Sequence, residues 1–278
     1  MESMGSKAFC TGAVFMALHM ANPLGRAWTT RSDRQKLFLG RYENHSLLDL
    51  PKLKDVLDGI ATSDPVALTE WFAKKGFNMP ANIPPGGTAV GSVFDLLVEW
   101  LEKGVRERLN IPNYGMFSTA NLKGGTVTGW KLPGYNYPMF TLRTKKDGWE
   151  VVLVETDEDC PHLDLQWRAM QFLGRERQHF TVDNLIFPCV KFEQDVDISF
   201  LVGMSVPEFR IDNTLKKVRL RVDEEGAHAE AAVMLTMRGG FRQKVIYNIT
   251  RPFYVIFTRK DLAVPPFVAL CGPDSWQK

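Results

Sequence analysis

The chain has 278 residues, with 34 basic against 32 acidic side chains, 45% apolar residues and 24% charged ones. A chain of this size buries roughly three quarters of its unfolded surface, so it can hold a core without metal or disulfide staples. The near-neutral balance argues against nucleic acid or an anionic membrane as the main partner, and no run is long enough to span a bilayer.

Residues 8 to 22 read as an amphipathic helix, ended by Asn22-Pro23-Leu24-Gly25. The same stretch is a poor signal peptide, because Thr11 and His19 interrupt it and only Lys7 precedes it. The chain is therefore expected inside the cell, with secretion as the alternative. The sequons Asn44-His45-Ser46 and Asn248-Ile249-Thr250 would be used only in that alternative. Thr30 to Gly40 reads as a second helix with Gly40 as its C-cap.

Leu50 to Phe77 carries two short helical stretches, and Pro80 to Gly87 is a loop. Ser92 opens an expected amphipathic helix through Leu101, ended by Gly104, with Asp95 placed as a capping box would place it. From Met116 strands dominate: Trp149 to Val154 and Leu163 to Phe172 read as sheet elements around the acidic loop Glu155 to Asp159. They continue with Phe187 to Glu193 and Val218 to Val222. Arg251 to Thr258 and Phe267 to Cys271 are buried hydrophobic runs separated by Pro265-Pro266. Nothing marks a linker, so 1–278 is read as a single domain.

Catalytic chemistry finds little support. The four cysteines, Cys10, Cys160, Cys189 and Cys271, show no zinc-like spacing and are expected as buried free thiols. Cys160 or Cys189 with His162 or His179 lacks any nucleophile signature. Gly86 to Ser92 could cradle an anion ahead of a helix but lacks a phosphate-loop lysine. Asp157-Glu158-Asp159 is a solvated turn before it is a cation site. No enzyme activity, cofactor or metal is expected.

The informative stretch follows the last clean alternation. Asp223-Glu224-Glu225-Gly226 leads into Ala227-His228-Ala229-Glu230-Ala231-Ala232-Val233-Met234-Leu235-Thr236. Read as strand, 227, 229, 231, 233 and 235 form one small apolar face. Read as helix, the alanines fit equally well. Met237-Arg238-Gly239-Gly240-Phe241-Arg242 follows, and Pro252-Phe253 closes the segment, 252 − 226 = 26 residues after Gly226.

Acid-acid-Gly, alanines and then Pro-Phe at this interval resembles the hinge and reactive-centre loop of the serpins, a family of serine protease inhibitors. Other stretches resemble the same family. They are Asn121, Lys123-Gly124 and Trp130-Lys131-Leu132-Pro133, then Phe187-Pro188-Cys189-Val190-Lys191-Phe192-Glu193, then the turn at Pro207-Glu208-Phe209. The family's Ser-Pro is replaced by Cys10-Thr11, its N-terminal helix has no counterpart, and Gly134 stands where it has Phe. Ser92 to Leu101 resembles the family helix that crosses the main sheet.

The resemblance implies an α+β fold: a large mixed β-sheet plus smaller sheets with several packed helices, abbreviated in the N-terminal half. It implies that 223–250 is the reactive-centre loop and following strand. Glu225, Gly226, Ala227, Ala229 and Ala231 would form the hinge, and Trp130 would mark the insertion point. Scissile candidates are Arg238, Gly239 and Gly240, with a trypsin-like protease as partner if cleavage follows Arg238. The implied function is protease inhibition by covalent trapping and loop insertion, by a monomer. The alternative is a non-inhibitory serpin-like protein that binds without insertion. A compact serpin of this kind also resembles forms carried by some large DNA viruses.

Overall fold

The computed structural model describes residues 4–79, 83, 86–214, 216–226 and 245–278. The chain opens with β1 (Lys7–Phe9) and α1 (Thr11–Ala21), followed by α2 (Asp33–Asp49). Next come β2 (Leu57–Thr62), α3 (Pro65–Lys74) and β3 (Ala89–Phe94). A run of strands follows: β4 (Val105–Ile111), β5 (Gly115–Lys123), β6 (Val127–Lys131), β7 (Met139–Arg143) and β8 (Trp149–Glu155). After α4 (Leu165–Leu173) come β9 (Gln178–Phe180), β10 (Asn184–Pro188) and β11 (Val190–Asp195). The short β12 (Ser205–Val206) and β13 (Phe209–Arg210) precede β14 (Lys217–Val222). The chain ends through β15 (Ile246–Asn248), β16 (Phe253–Arg259) and β17 (Phe267–Cys271).

The core is a seven-stranded sheet, ordered β1-β17-β16-β8-β7-β6-β9 and antiparallel at every pairing. Its centre is buried on both faces: Val151–Val154 of β8, Phe253–Phe257 of β16 and all of β17. Continuous apolar sequence therefore suits these strands better than alternation does. Mixed pairing falls in the four-stranded sheet β15-β10-β5-β4, where only β10 and β15 run parallel. Two separate antiparallel pairs, β2-β3 and β11-β14, complete the layers that concern function.

α1 stops where expected, and the Asn22 side chain locks the turn by bonding both the N–H and the carbonyl of Arg26. α2 begins at Ser32, whose hydroxyl accepts from the Gln35 N–H in a reciprocal capping box. It runs on to Asp49, so Gly40 is a helix-interior residue rather than a C-cap; the helix continues because Phe38, Tyr42 and Ser46 still face the core.

Two other expected elements change type. Ser92 to Leu101 is not a helix: 89–94 form β3, paired residue for residue with β2, and Ser92 Oγ donates to the Ala13 carbonyl instead of capping. Leu163 to Phe172 is not sheet but mostly α4, which buries Leu165, Ala169 and Phe172 at helical spacing. The four cysteines are free and buried. No helix among the described residues is long and apolar enough to cross a membrane.

Candidate functional site: the hinge and the groove beside it

β14 alternates cleanly, burying Val218, Leu220 and Val222, and delivers the chain into Asp223-Glu224-Glu225-Gly226. Each acid there meets a base. Asp223 pairs with Arg221 (2.7 Å), Glu224 with Arg106 (3.0 Å), and Glu225 with Lys103. The Glu225 N–H donates to Asp223 Oδ1 (3.0 Å), and the Asp223 N–H donates to the Gly226 carbonyl (3.2 Å).

The turn is pinned from the other side by the segment that follows β3. Trp100 N–H donates to the Glu225 carbonyl (3.2 Å) and Gly104 N–H to the Glu224 carbonyl (2.7 Å). The indole N–H of Trp100, a residue only 1% exposed, donates to the Asp223 carbonyl (2.8 Å). Glu99 and Gly226 form a bridge. Gly226 has φ +126°, and a Cβ there would lie 2.4 Å from the Val98 carbonyl oxygen and 2.6 Å from Glu99 Cα. No other residue fits this approach without displacing backbone.

On the near side of this junction β3 and β14 part. Among the described residues β3 pairs only with β2 and β14 only with β11. Each thus keeps one edge free of sheet partners. Residues 88–94, which include all of β3, and residues 216–219, which include the start of β14, line one cavity of about 460 Å³ with Ala13, Ala17 and Leu18 of α1. Lys216 lies in its wall, 7% exposed, its Nζ 3.3 Å from the Cys10 carbonyl and 3.5 Å from the centre of the Phe9 ring. Burial depresses its pKa to about 7.

The segment 227–244 begins at the pinned hinge and ends at an equally firm anchor. Val245 and Asp183 exchange hydrogen bonds (2.8 and 2.9 Å), and β15 lies alongside β10. Beyond it the buried Glu155 carboxylate accepts from the Tyr247 hydroxyl (2.6 Å) and from the N–H groups of Thr250 (2.7 Å) and Arg251 (3.2 Å). Burial raises the pKa of Glu155 against these donors.

Of the residues singled out in the sequence, Glu225 and Gly226 sit together in the turn. Ala227, Ala229, Ala231, Arg238, Gly239 and Gly240 lie outside the described residues. Trp130 is not brought to the hinge. It stands in β6 opposite Met139 and His179, its indole N–H donating to Thr141 Oγ1 (3.0 Å). The tryptophan bonded to the Asp223 to Gly226 turn is Trp100. Reading 92–101 as helix hid it, although Val90-Gly91-Ser92-Val93, with a glycine inside and two β-branched residues, carried a strand signal.

The other candidates resolve simply. Burial raises the thiol pKa of Cys160 and pushes that of Cys189 up to about 11, so neither is a ready thiolate. Gly86 to Ser92 runs into a strand, so no helix terminus stands behind it. Asp157, Glu158 and Asp159 pair with Arg251, Arg168 and Lys7. No cluster of metal-ligating side chains occurs among the described residues.

No protein-family model and no curated protein matches the chain. Solved structures do. Serpin48 of the insect Tenebrio molitor, described as a highly specific serpin, aligns with a TM-score of 0.64 at 13% identity, over 97% of this chain and 92% of its own. SRPN18 of Anopheles gambiae aligns at 0.59 and 13% identity, over 98% and 93%. Thyroxine-binding globulin in complex with thyroxine aligns at 0.59 and 12% identity, over 95% and 92%. An α+β architecture shared end to end with these proteins at so low an identity has one reading: the chain has the serpin fold, in a divergent sequence.

Proposed function

We propose that the protein is a protease inhibitor that offers 227–244 as bait and traps its target by drawing the cut segment into the groove between β3 and β14. The observation that carries this reading is that, among the described residues, β3 and β14 each lack a partner on one side while residues of both line one cavity close to the pinned turn at Asp223 to Gly226. A strand added there would join β2-β3 to β14-β11 into a single sheet, which is recognition by β-augmentation. The seven-stranded sheet offers no such opening, since its strands pair without interruption.

The loop sequence suits the groove. The Asp223 to Gly226 hydrogen bond closes a two-residue turn, and a chain folding back from it would set 227 opposite Val222, 229 opposite Leu220 and 231 opposite Val218. Those three β14 residues are the buried ones. The alanines at 227, 229 and 231 would then turn inward beside them, leaving His228 and Glu230 outward opposite Arg221 and Arg219. In such a mechanism the protease is acylated by the scissile residue, and insertion outruns hydrolysis. A trypsin-like enzyme cutting after Arg238 is the proposed target, with Gly239 and Gly240 as the neighbouring candidates.

The test is incubation with trypsin-like proteases followed by denaturing electrophoresis. A band stable to denaturant at the summed mass supports trapping, and cleavage without such a band removes it. A second reading, a serpin-like binding protein that does not insert, draws on the short acceptor edges: β3 and β14 have six residues each. Nicking the loop separates the two. Insertion predicts a large rise in melting temperature, and the binding protein predicts none.

A further inference from the structure

We propose that the groove between β3 and β14 is, in the uncleaved protein, a binding site for a carboxylate-bearing amphiphile of the fatty-acid class, its headgroup taken by Lys216. The cavity, at about 460 Å³, lies within the range of about 300–1,000 Å³ typical of small-molecule sites. Its wall is apolar over most of its length, with Val14, Leu18, Phe94, Ile198 and Phe267. Lys216 and Cys10 both line it.

An ammonium has three N–H donors. Lys216 has one acceptor among the described residues, the Cys10 carbonyl at a long 3.3 Å, and it rests on the face of Phe9 at 3.5 Å. No carboxylate among the described residues pairs with it, and its titratable neighbour Cys10 is held as a neutral thiol by burial. The nearby acids at the mouth are already engaged, Glu208 by Arg26 and Asp212 by Arg210. A buried amine with unmet donors at the side of an apolar cavity selects for an anionic head on an apolar tail. Such a ligand would also favour the charged state of the amine that burial disfavours.

The site does not require the inhibitor reading; if that reading holds, the ligand and the cut loop compete for one space. Calorimetric titration of the uncleaved protein with sodium dodecanoate, with no protease present, tests the site by itself. The expected result is one equivalent bound, a fall in affinity of at least about tenfold in Lys216→Met, and weak binding of dodecanol. Ala17→Phe, which fills the floor, should also abolish binding, with a single cooperative melting transition in each variant confirming that both fold. Absence of binding to the wild type, equal affinity in Lys216→Met, or dodecanol binding as tightly as dodecanoate would each overturn the proposal.

Discussion

The indole N–H of Trp100 donates to the carbonyl of Asp223 at 2.8 Å, both residues being about 1% exposed. With the Trp100 and Gly104 N–H bonds to Glu225 and Glu224, this bond ties the segment after β3 to the turn that follows β14. Trp100→Phe keeps the aromatic bulk but strands a buried carbonyl, which costs about 1–3 kcal/mol. Urea unfolding should show a lower midpoint with an unchanged slope. An unchanged midpoint would mean that the bond contributes nothing to holding the hinge.

Gly226 makes the same junction sensitive to a single methyl group. At φ +126° an L residue is strained by about 1–3 kcal/mol, and the Cβ of Gly226→Ala would press on the Val98 carbonyl at 2.4 Å. The backbone must then shift, and the N–H groups of Trp100 and Gly104 lose their acceptors. Hydrogen exchange at those two amides should quicken, together with a fall in melting temperature. Gly25→Ala is the control: its φ is +62° but nothing lies within 4 Å of the new atom, so only the smaller conformational cost should appear. Equal behaviour of the two variants would refute the close approach.

These relationships show what the sequence made legible and what it hid. The alternation of Val218, Leu220 and Val222 is local, and β14 appears where period two places it. The runs Phe253 to Phe257 and Phe267 to Cys271 are apolar throughout and can only be core. The failure at Ser92 to Leu101 has a physical cause. Leu97 and Leu101 give the run a helical look, yet both are largely exposed, at 50% and 44%. What decides the segment is partnership with β2 and with the hinge more than a hundred residues later, and no local pattern encodes that. Leu165, Ala169 and Phe172 recur at helical spacing, which the apolar content of the run masks as a strand pattern. The Asp223 to Gly226 turn is marked in the sequence because its acids and glycine are contiguous. The groove was not, because its two walls come from β3 and β14.

Lys216 should leave a signature in the pH dependence of stability. Its folded pKa is lowered to about 7, well below that of an exposed lysine. Between pH 7 and the ordinary lysine range the unfolded chain binds the proton and the folded chain does not. Stability should therefore rise with pH from about 7, by at most about 1.4 kcal/mol per unit. The buried cysteines act in the opposite sense. Burial raises the thiol pKa of Cys10 and Cys271, so above the ordinary thiol range only the unfolded chain ionises and stability declines. The difference between wild type and Lys216→Met isolates the lysine, and it should narrow from pH 7 upward. A difference independent of pH would mean that the amine stays charged in the folded state.

The loop predictions rest on the inhibitor reading and test it most directly. With Ala229 set opposite Leu220 in the groove, Ala229→Arg would bury a charge with no partner, a cost of about 3–5 kcal/mol. Insertion should slow against a fixed rate of hydrolysis, so the variant is cut as a substrate and the yield of covalent complex falls at least about tenfold. His228→Arg, turned outward beside Arg221, should lower the yield far less. Arg238→Ala should remove reaction with a trypsin-like protease altogether while leaving the melting temperature unchanged. Mass spectrometry of the fragment released from wild type should give a new N-terminus at Gly239. Equal complex yields from Ala229→Arg and wild type would show that the segment does not enter the groove in this register, and a different new N-terminus would move the scissile bond from Arg238.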